Sequence, residues 1–214
     1  DYISPTNVRV KPGVKIGAYD VSPVEVQNVV LFWQKGAIKL RELTYEPNSY
    51  EERYVAPDLT LLADHITSGG IRYSAWQQEP DSVLWSVRAD GVMPSMTYMR
   101  DEEVVGWARH ITDGVIESVA TIPDPTDTYN EVWVSVLRTI DGSPQRYIEY
   151  MDPNLNVDSG LTSDGADPGG SSMTVYGLDH LEGKTVDIVV DGCVYAQQTV
   201  TSGEVTLSPT GAYI

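Results

Sequence analysis

Residues 82–100, SVLWSVRADGVMPSMTYMR, carry the pattern that decides the fold. Short runs rich in apolar side chains flank Asp90-Gly91, a pair that supplies the positive φ angles of a tight hairpin turn. The stretch therefore predicts two adjacent strands, 82–89 and 94–100. Similar short runs, bounded by Gly, Pro, Asp or Asn, fill most of the chain and predict an all-β protein.

Strand-like runs continue on both sides of this hairpin. We predict further strands at 29–35, 38–45, 71–77, 104–111, 117–123, 131–138, 145–151, 173–178, 184–191, 193–200 and 204–209. Residues 157–162 are a candidate for one more short strand. The single predicted helix is PDLTLLADHI at 57–66, which Gly69-Gly70 follows.

Tryptophan recurs at nearly constant spacing. Trp33, Trp85 and Trp133 each fall in a second-strand position, 52 and 48 residues apart. A period near 50 with about four strands per unit is that of a β-propeller blade. We therefore expect about three propeller-like blades. Because a closed propeller usually takes at least four, either further blades precede Asp1 or the blades form an open array or sandwich.

Tyrosine follows the same period. Tyr45, Tyr98 and Tyr150 lie near the ends of the next strands, 53 and 52 residues apart, in the contexts LTY, MTY and IEY. An apolar residue stands two positions before each tyrosine, and residues two apart in a strand share a face. The pattern predicts that all three tyrosines lie on the same face of their blades.

Residue composition divides the chain into three parts. Residues 1–151 form the propeller-like repeat region, and residues 152–172 form a linker rich in Asp, Gly and Ser. Residues 173–214 then supply four or five short strands. They predict a small β domain, either a sandwich or a barrel.

The chain is strongly acidic, with 14 Lys and Arg against 31 Asp and Glu, a net charge of −17. Such a surface repels nucleic-acid backbones and anionic membrane faces. No apolar run approaches the roughly 20 residues that span a bilayer, so no membrane segment is predicted. Residues 147–214 hold one basic and ten acidic residues, net −9, more than half of the total charge.

Two single residues bear on the setting of the protein. Asp1 stands where an initiator methionine would, which indicates a processed product or a fragment of a longer chain. The only cysteine, Cys193, cannot form an internal disulfide, which favours a reducing compartment or a disulfide-free particle. Cys193 is predicted to be a small core residue at the start of its strand.

The sequence holds few chemical motifs, and no metal or cofactor is predicted. The acidic run at 101–103 is interpreted as a charged hairpin tip rather than a pair of glycosidase carboxylates. Asp179-His180 is interpreted as a turn, since no nucleophile motif accompanies it. Asp152, Asn154, Asn156 and Asp158 alternate like calcium ligands but lack the Gly and Glu of an EF-hand loop.

Aromatic side chains are the remaining candidates for function. Trp33, Trp85, Trp107 and Trp133 are candidate packing or partner aromatics. Regular spacing favours packing between blades, whereas exposed rings would form a carbohydrate platform or a partner site. Exposure of Trp85 and Trp107 discriminates between these two hypotheses.

Several stretches resemble a family of tailed-phage and prophage proteins: DLTLLADHIT (58–67), QQEPDSVLW (77–85), VRADG (87–91) and GLDHLEG (177–183). Over about residues 29–208 the chain is similar to the tail nozzle, or tail tubular protein B, of short-tailed phages and to packaged-DNA stabilisation proteins. Members of this family are usually much longer. The shared text is not a catalytic motif, so it implies no active-site residues.

The resemblance implies a non-enzymatic virion protein, made in the bacterial cytoplasm and located in the tail. Six copies would surround a channel for genome retention and DNA ejection, touching other tail or portal-proximal proteins and contacting DNA only passively. The alternative is a carbohydrate- or receptor-binding tail module that uses exposed Trp and Tyr. A polysaccharide-degrading tail enzyme is a third hypothesis and requires a close carboxylate pair in a groove.

Under the nozzle hypothesis the acidic charge has a purpose. A negative wall keeps a polyanion hydrated and prevents its adsorption. Because residues 147–214 concentrate this charge, the candidate channel-lining residues are Asp158, Asp164, Asp167, Asp187 and Asp191.

Overall fold

A computed structural model of the chain describes residues 13–46, 53–155, 157–162, 173–190 and 192–207. Strands dominate these residues, so the all-β prediction is confirmed. The strands are β1 (Val24–Val26), β2 (Val29–Trp33), β3 (Leu40–Glu46), β4 (Arg53–Val55), β5 (Ile71–Gln77), β6 (Val83–Arg88), β7 (Met93–Met99), β8 (Val104–His110), β9 (Val115–Pro123), β10 (Asn130–Ile140), β11 (Ser143–Tyr150), β12 (Met173–Tyr176), β13 (Thr185–Val190), β14 (Cys193–Thr199) and β15 (Glu204–Leu207).

The first eleven strands form three sheets in which chain neighbours pair. Sheet 1 has the order β1-β2-β3-β4, sheet 2 the order β5-β6-β7-β8, and sheet 3 the order β11-β10-β9. Short turns such as Asp141-Gly142, with φ angles of 47° and 72°, join the neighbours. Sheets 1 and 2 thus have the four strands expected of a blade, whereas sheet 3 has three.

The structure corrects several details of the sequence-based prediction. The strands β1 and β4, each three residues long, were not predicted, and residues 157–162 form turns and a bend rather than a strand. The helix α1 covers only Asp64–Thr67 instead of 57–66. The Asp58 carboxylate accepts hydrogen bonds from the N–H and the hydroxyl of Thr60, and such local bonds favour a turn over a helix.

Sheets 1 and 2 pack face to face through an apolar cluster. Its buried members are Val21, Val26, Val29, Leu31, Trp33 and Leu40 from sheet 1 and the segment before it, and Ile71, Leu84, Met96 and Tyr98 from sheet 2. In β2, buried and half-buried side chains alternate. Sheet 1 therefore turns one face of each strand toward sheet 2.

Sheets 2 and 3 pack through a second cluster on the opposite face of sheet 2. Its buried members are Val83, Trp85, Val87 and Met93 from sheet 2, and Ile116, Val132, Val134 and Val136 from sheet 3. All of β6 from Val83 to Val87 is buried, because odd and even positions face different neighbours. Sheet 2 is consequently the middle layer of a three-sheet stack.

The strands β12 to β15 form two two-stranded sheets, β12 with β15 and β13 with β14. A short 3-10 helix, Asp179–Leu181, precedes β13. The buried residues Leu178, Val200 and Val205 form their core. The described strands form no closed barrel. At the turn before β15, a side chain on Gly203 would lie 2.6 Å from the Asp179 carboxylate, which explains the glycine.

The chain divides into two compact units. The first comprises residues 1–136 and 148–152, and the second comprises residues 137–147 and 153–214. The sequence-based boundaries, a repeat region to 151 and a linker from 152 to 172, differ from this division chiefly at the hairpin 137–147. Residues 163–172 of the predicted linker lie outside the described residues.

Candidate assembly surfaces

Each of the three sheets has two distinguishable faces. We call the face that carries the second-strand tryptophan the Trp face, and the opposite one the receiving face. The tryptophans are Trp33 in β2, Trp85 in β6 and Trp133 in β10. In the stack, the Trp face of sheet 1 lies on the receiving face of sheet 2, and the Trp face of sheet 2 lies on the receiving face of sheet 3.

At the junction of sheets 1 and 2, Trp33 reaches into sheet 2. Its indole N–H donates to Ser74 Oγ at 2.9 Å, and Ser74 Oγ lies 3.0 Å from Ser86 Oγ. The ring meets Trp107 edge to face at 6.4 Å between centroids. The Trp107 N–H donates to the Leu59 carbonyl at 2.9 Å. Both indoles are therefore used for packing between the sheets.

A buried carboxylate adds a polar link at this junction. Glu42 accepts hydrogen bonds from the Tyr98 hydroxyl and from Arg100 Nε, each at 2.9 Å. Burial raises the pKa of Tyr98 far above its usual value, and the adjacent Glu42 carboxylate raises it further. The phenol thus stays protonated and keeps donating. This link joins β3 to β7.

At the junction of sheets 2 and 3, Trp85 starts a hydrogen-bonded chain. Its N–H donates to Gln77 Oε1 at 2.9 Å, and Gln77 Nε2 donates to the Asn130 carbonyl at 2.9 Å. The Asn130 side-chain oxygen accepts the backbone N–H groups of Gln78 and Glu79 at 3.0 and 3.1 Å. Asn130 therefore fastens the start of β10 to the end of β5.

His110 lies beside Trp85 at the same junction. Ser95 Oγ and His110 Nε2 are 2.9 Å apart, and the imidazole centroid lies 5.0 Å from the Trp85 ring. Burial lowers the pKa of His110, which favours the neutral ring. Ser95 is buried and the imidazole packs against an indole rather than a carboxylate, so the pair is a packing contact and not a nucleophilic triad.

The Trp face of sheet 3 carries a partly exposed aromatic pair. Trp133 is half-buried, its N–H donates to Glu131 Oε2 at 2.8 Å, and its ring lies 5.2 Å from that of Tyr150. Tyr150 is 53% exposed and Ile148, two residues earlier, is 71% exposed. An aromatic pair and an aliphatic side chain therefore stand in solvent at this end of the stack.

The position of Tyr150 corrects one prediction. The register pairs Val30 with Leu43 and Leu84 with Met96, so Tyr45 and Tyr98 lie on receiving faces, opposite the tryptophans. Tyr150 instead contacts Trp133 on the Trp face. The prediction of one shared face is wrong, because strand register through the turn, and not sequence spacing, decides which face a residue takes.

The receiving face of sheet 1 lies at the other end of the stack. Val30, Phe32 and Leu43 point away from sheet 2, and Tyr45 and Tyr54 stack beside them at 5.3 Å. The segment 13–23 pairs with the end of β2 through Tyr19 N–H to Trp33 O and Lys35 N–H to Gly17 O, and its side chains line an apolar groove of about 460 Å³ together with this face. Among the residues that line the groove are Val14, Ile16, Val30, Phe32, Leu43 and Tyr54.

The four predicted tryptophans differ in burial. Trp33 and Trp85 are buried, whereas Trp107 and Trp133 are half-buried. All four indole N–H groups have acceptors. The two tryptophans whose exposure would have favoured a carbohydrate platform, Trp85 and Trp107, both pack between sheets.

The predicted channel-lining acids are only partly described. Asp158 lies exposed in the turn after residue 157, and Asp187 lies exposed in β13, where it accepts a hydrogen bond from Gln197 Nε2 at 2.7 Å. Asp164, Asp167 and Asp191 lie outside the described residues. Cys193 is exposed at the start of β14, so its prediction as a core residue is wrong.

One buried acid was not singled out from the sequence. Asp124 accepts backbone N–H groups of Thr126, Thr128 and Tyr129 at 3.0, 2.7 and 3.0 Å, besides the Thr126 hydroxyl. Although burial acts in the opposite direction, these hydrogen bonds hold the pKa of Asp124 far below its usual value. The carboxylate shapes the loop between β9 and β10.

The sequence analysis also did not identify Glu42 and Asn130, which link the sheets at the two junctions. The sequence held one indication of the role of Glu42. In the alternation of β3, Glu42 takes an inward-facing position between Leu40 and Thr44. A charge at such a position indicates a buried partner. Asn130 carries no comparable signal, since its partners lie more than fifty residues away in sequence.

Clustered charged side chains and long apolar helices would indicate other classes of site. Asp101 to Glu103 form the tip between β7 and β8, as predicted. Within the described ranges, no three His, Cys, Asp or Glu side chains are grouped to hold a metal ion. No helix in that part of the chain is long and apolar enough to cross a membrane.

The candidate surfaces are therefore the two solvent-facing ends of the stack: the Trp face of sheet 3 and the groove on the receiving face of sheet 1. No protein-family model matches the chain, and no curated protein matches it either.

Proposed function

We propose that the chain is a non-enzymatic structural component of a phage or prophage tail, part of an oligomeric channel for genome passage. The observation that carries the proposal is the three-sheet stack, whose two ends present apolar and aromatic side chains to solvent. Such unpaired faces are typical of proteins that assemble. The family resemblance of residues 29–208 supplies the tail as the place of assembly.

The charge distribution supports a passive role toward DNA. The net charge of −17 opposes adsorption of a polyanion. Asp158 and Asp187, both exposed, are proposed to face the channel together with Asp164, Asp167 and Asp191. Their purpose on this view is repulsion, which lets the genome slide past without sticking.

Virions provide the direct test. Mass spectrometry of purified particles, followed by a cryo-electron microscopy map, is expected to locate the chain as a ring in the tail with residues 147–214 toward the lumen. Particles lacking the protein are expected to package DNA but fail to retain it or eject it. Absence from purified virions would refute the proposal, and a map with residues 147–214 on the outer tail surface would refute the channel-lining role.

A second candidate function rests on the Trp133–Tyr150 pair. Partly exposed aromatic rings beside a carboxylate, here Glu131, match the side chains that stack on sugars and accept hydrogen bonds from their hydroxyls. A carbohydrate-binding tail module would quench or shift Trp fluorescence on titration with host surface polysaccharide. Trp133→Phe should then abolish the signal, whereas an unchanged spectrum of the wild-type chain removes this candidate.

A further inference from the structure

The two junctions inside the stack are built to one plan. In each, a tryptophan from the second strand of one sheet enters an apolar receiving face of the next, and side-chain hydrogen bonds link the two sheets. The receiving faces use the same positions, with Leu84 of β6 and Val132 of β10 each directly preceding the local tryptophan. The two junctions share the position of the tryptophan, although the Trp33 indole donates to Ser74 of the next sheet and the Trp85 indole donates to Gln77 of its own sheet.

The ends of the stack carry the two halves of that same junction. Phe32 precedes Trp33 in β2 as Leu84 precedes Trp85, and Phe32 lines the open groove with Val30 and Leu43. At the far end, Trp133 stands on a Trp face with Tyr150 and Ile148 beside it. One end of the stack thus presents a Trp face, and the other end presents a receiving face.

Charge supports the same pairing. Sheet 1 and the segment before it, residues 13–46 and 53–55, border the groove and hold five basic and four acidic residues, net +1, and Lys15 and Lys35 are exposed. Residues 124–152, which carry the Trp face of sheet 3, hold six acidic and two basic residues, net −4. Opposite net charges steer the two ends together.

We propose that the Trp face of sheet 3 in one copy packs on the groove of sheet 1 in a second copy, head to tail. The contact is heterologous: each copy uses a different surface toward each of its two neighbours, so copies add in a ring or an open series. The inference deepens the proposed assembly by naming its surfaces, but it stands on the sheet faces and not on the location in a tail.

Sedimentation velocity of the full chain over a wide range of concentration tests the contact. The wild-type chain is expected to associate beyond a dimer as the concentration rises. Ile148→Asp places a charge on the Trp face and Tyr54→Asp places one on the groove, and each is expected to weaken association at least tenfold. Leu62→Asp is the matched control, because Leu62 is 93% exposed and lies on neither surface; it should associate like the wild type.

Mixing the two face variants distinguishes head-to-tail from symmetric packing. The Ile148→Asp chain keeps an intact groove and the Tyr54→Asp chain keeps an intact Trp face, so an equimolar mixture should form dimers and nothing larger. Circular dichroism and thermal melting confirm that each variant folds. If one fails to fold, Lys15→Glu combined with Lys35→Glu replaces Tyr54→Asp, and Tyr150→Asp replaces Ile148→Asp.

Several results would overturn the inference. They are a monomer at every concentration, face variants that associate like the wild type, or a mixture that stays monomeric. A monomer whose Trp133 fluorescence responds to polysaccharide would assign the Trp face to a glycan instead. A chain located in the tail but monomeric in solution would remove this inference and leave the proposed function intact, whereas a chain absent from virions that associates as expected would do the reverse.

Discussion

Sheet 2 and sheet 3 both pair strands that are consecutive in the chain, and both carry a tryptophan in their second strand. They differ in how many of their faces are covered by another sheet. The central strands β6 and β7 of sheet 2 are buried on both faces, so Leu84 and Trp85 both lie in apolar clusters although they are adjacent in β6. Sheet 3 is buried on one face, and Ile148 and Tyr150 remain in solvent on the other. The difference shows that the number of covered faces decides how many side chains of a sheet are buried.

The largest expected contrast comes from removing one aliphatic side chain from each sheet. Leu84→Ala leaves a cavity between sheets 1 and 2 and should lower the free energy of unfolding by about 2–5 kcal/mol. Ile148→Ala removes exposed atoms and should stay within about 0.5 kcal/mol of the wild type. Urea unfolding of dilute protein measures both. Equal losses would mean that Ile148 is covered in the monomer.

The polar link of sheet 1 to sheet 2 gives the second contrast. Glu42→Ala leaves the Tyr98 hydroxyl and Arg100 Nε without their acceptor, and should cost about 1–3 kcal/mol. Glu46→Ala removes an exposed carboxylate that lies 3.6 Å from Arg53, and should cost below about 0.5 kcal/mol. A comparable urea midpoint for both variants would contradict a structural role for the Glu42 link.

Alanine substitutions in the hairpin turns should produce a smaller difference in stability loss between sheets 2 and 3. Gly91 and Gly142 both follow an aspartate and both have positive φ, at 84° and 72°, so alanine at either site costs about 1–2 kcal/mol in backbone strain. A side chain at Gly91 would also lie 2.6 Å from Val115 Cγ1, whereas one at Gly142 meets open space. Gly91→Ala should therefore lose about 1 kcal/mol more than Gly142→Ala. Equal thermal shifts would show that Val115 moves away without cost.

The sequence predicted most strands because alternation over five or more residues is visible in one dimension. The three-residue strands β1 and β4 are too short for a period, and the helix at 57–66 was wrong because Asp58 bonds its own loop. The tryptophans were identified as packing or partner candidates, but their partners were not. Trp33 and Ser74 are 41 residues apart and Glu42 and Tyr98 are 56 apart. Such pairs are fixed by register and stacking, which sequence spacing does not encode.

The smallest expected contrast concerns pH and distinguishes the two junctions. Burial lowers the pKa of His110 at the junction of sheets 2 and 3, whereas the unfolded chain binds that proton near pH 6.5. The unfolded state therefore holds more protons below pH 6.5, and stability falls as the pH drops from 7.5 to 5.5. His110→Gln should flatten this fall in the urea midpoint. His65→Gln, at an exposed histidine, should keep the wild-type slope. Identical slopes for all three chains would place the pH dependence outside this junction, and leave Trp85, Ser95 and His110 as a packing contact without a titration.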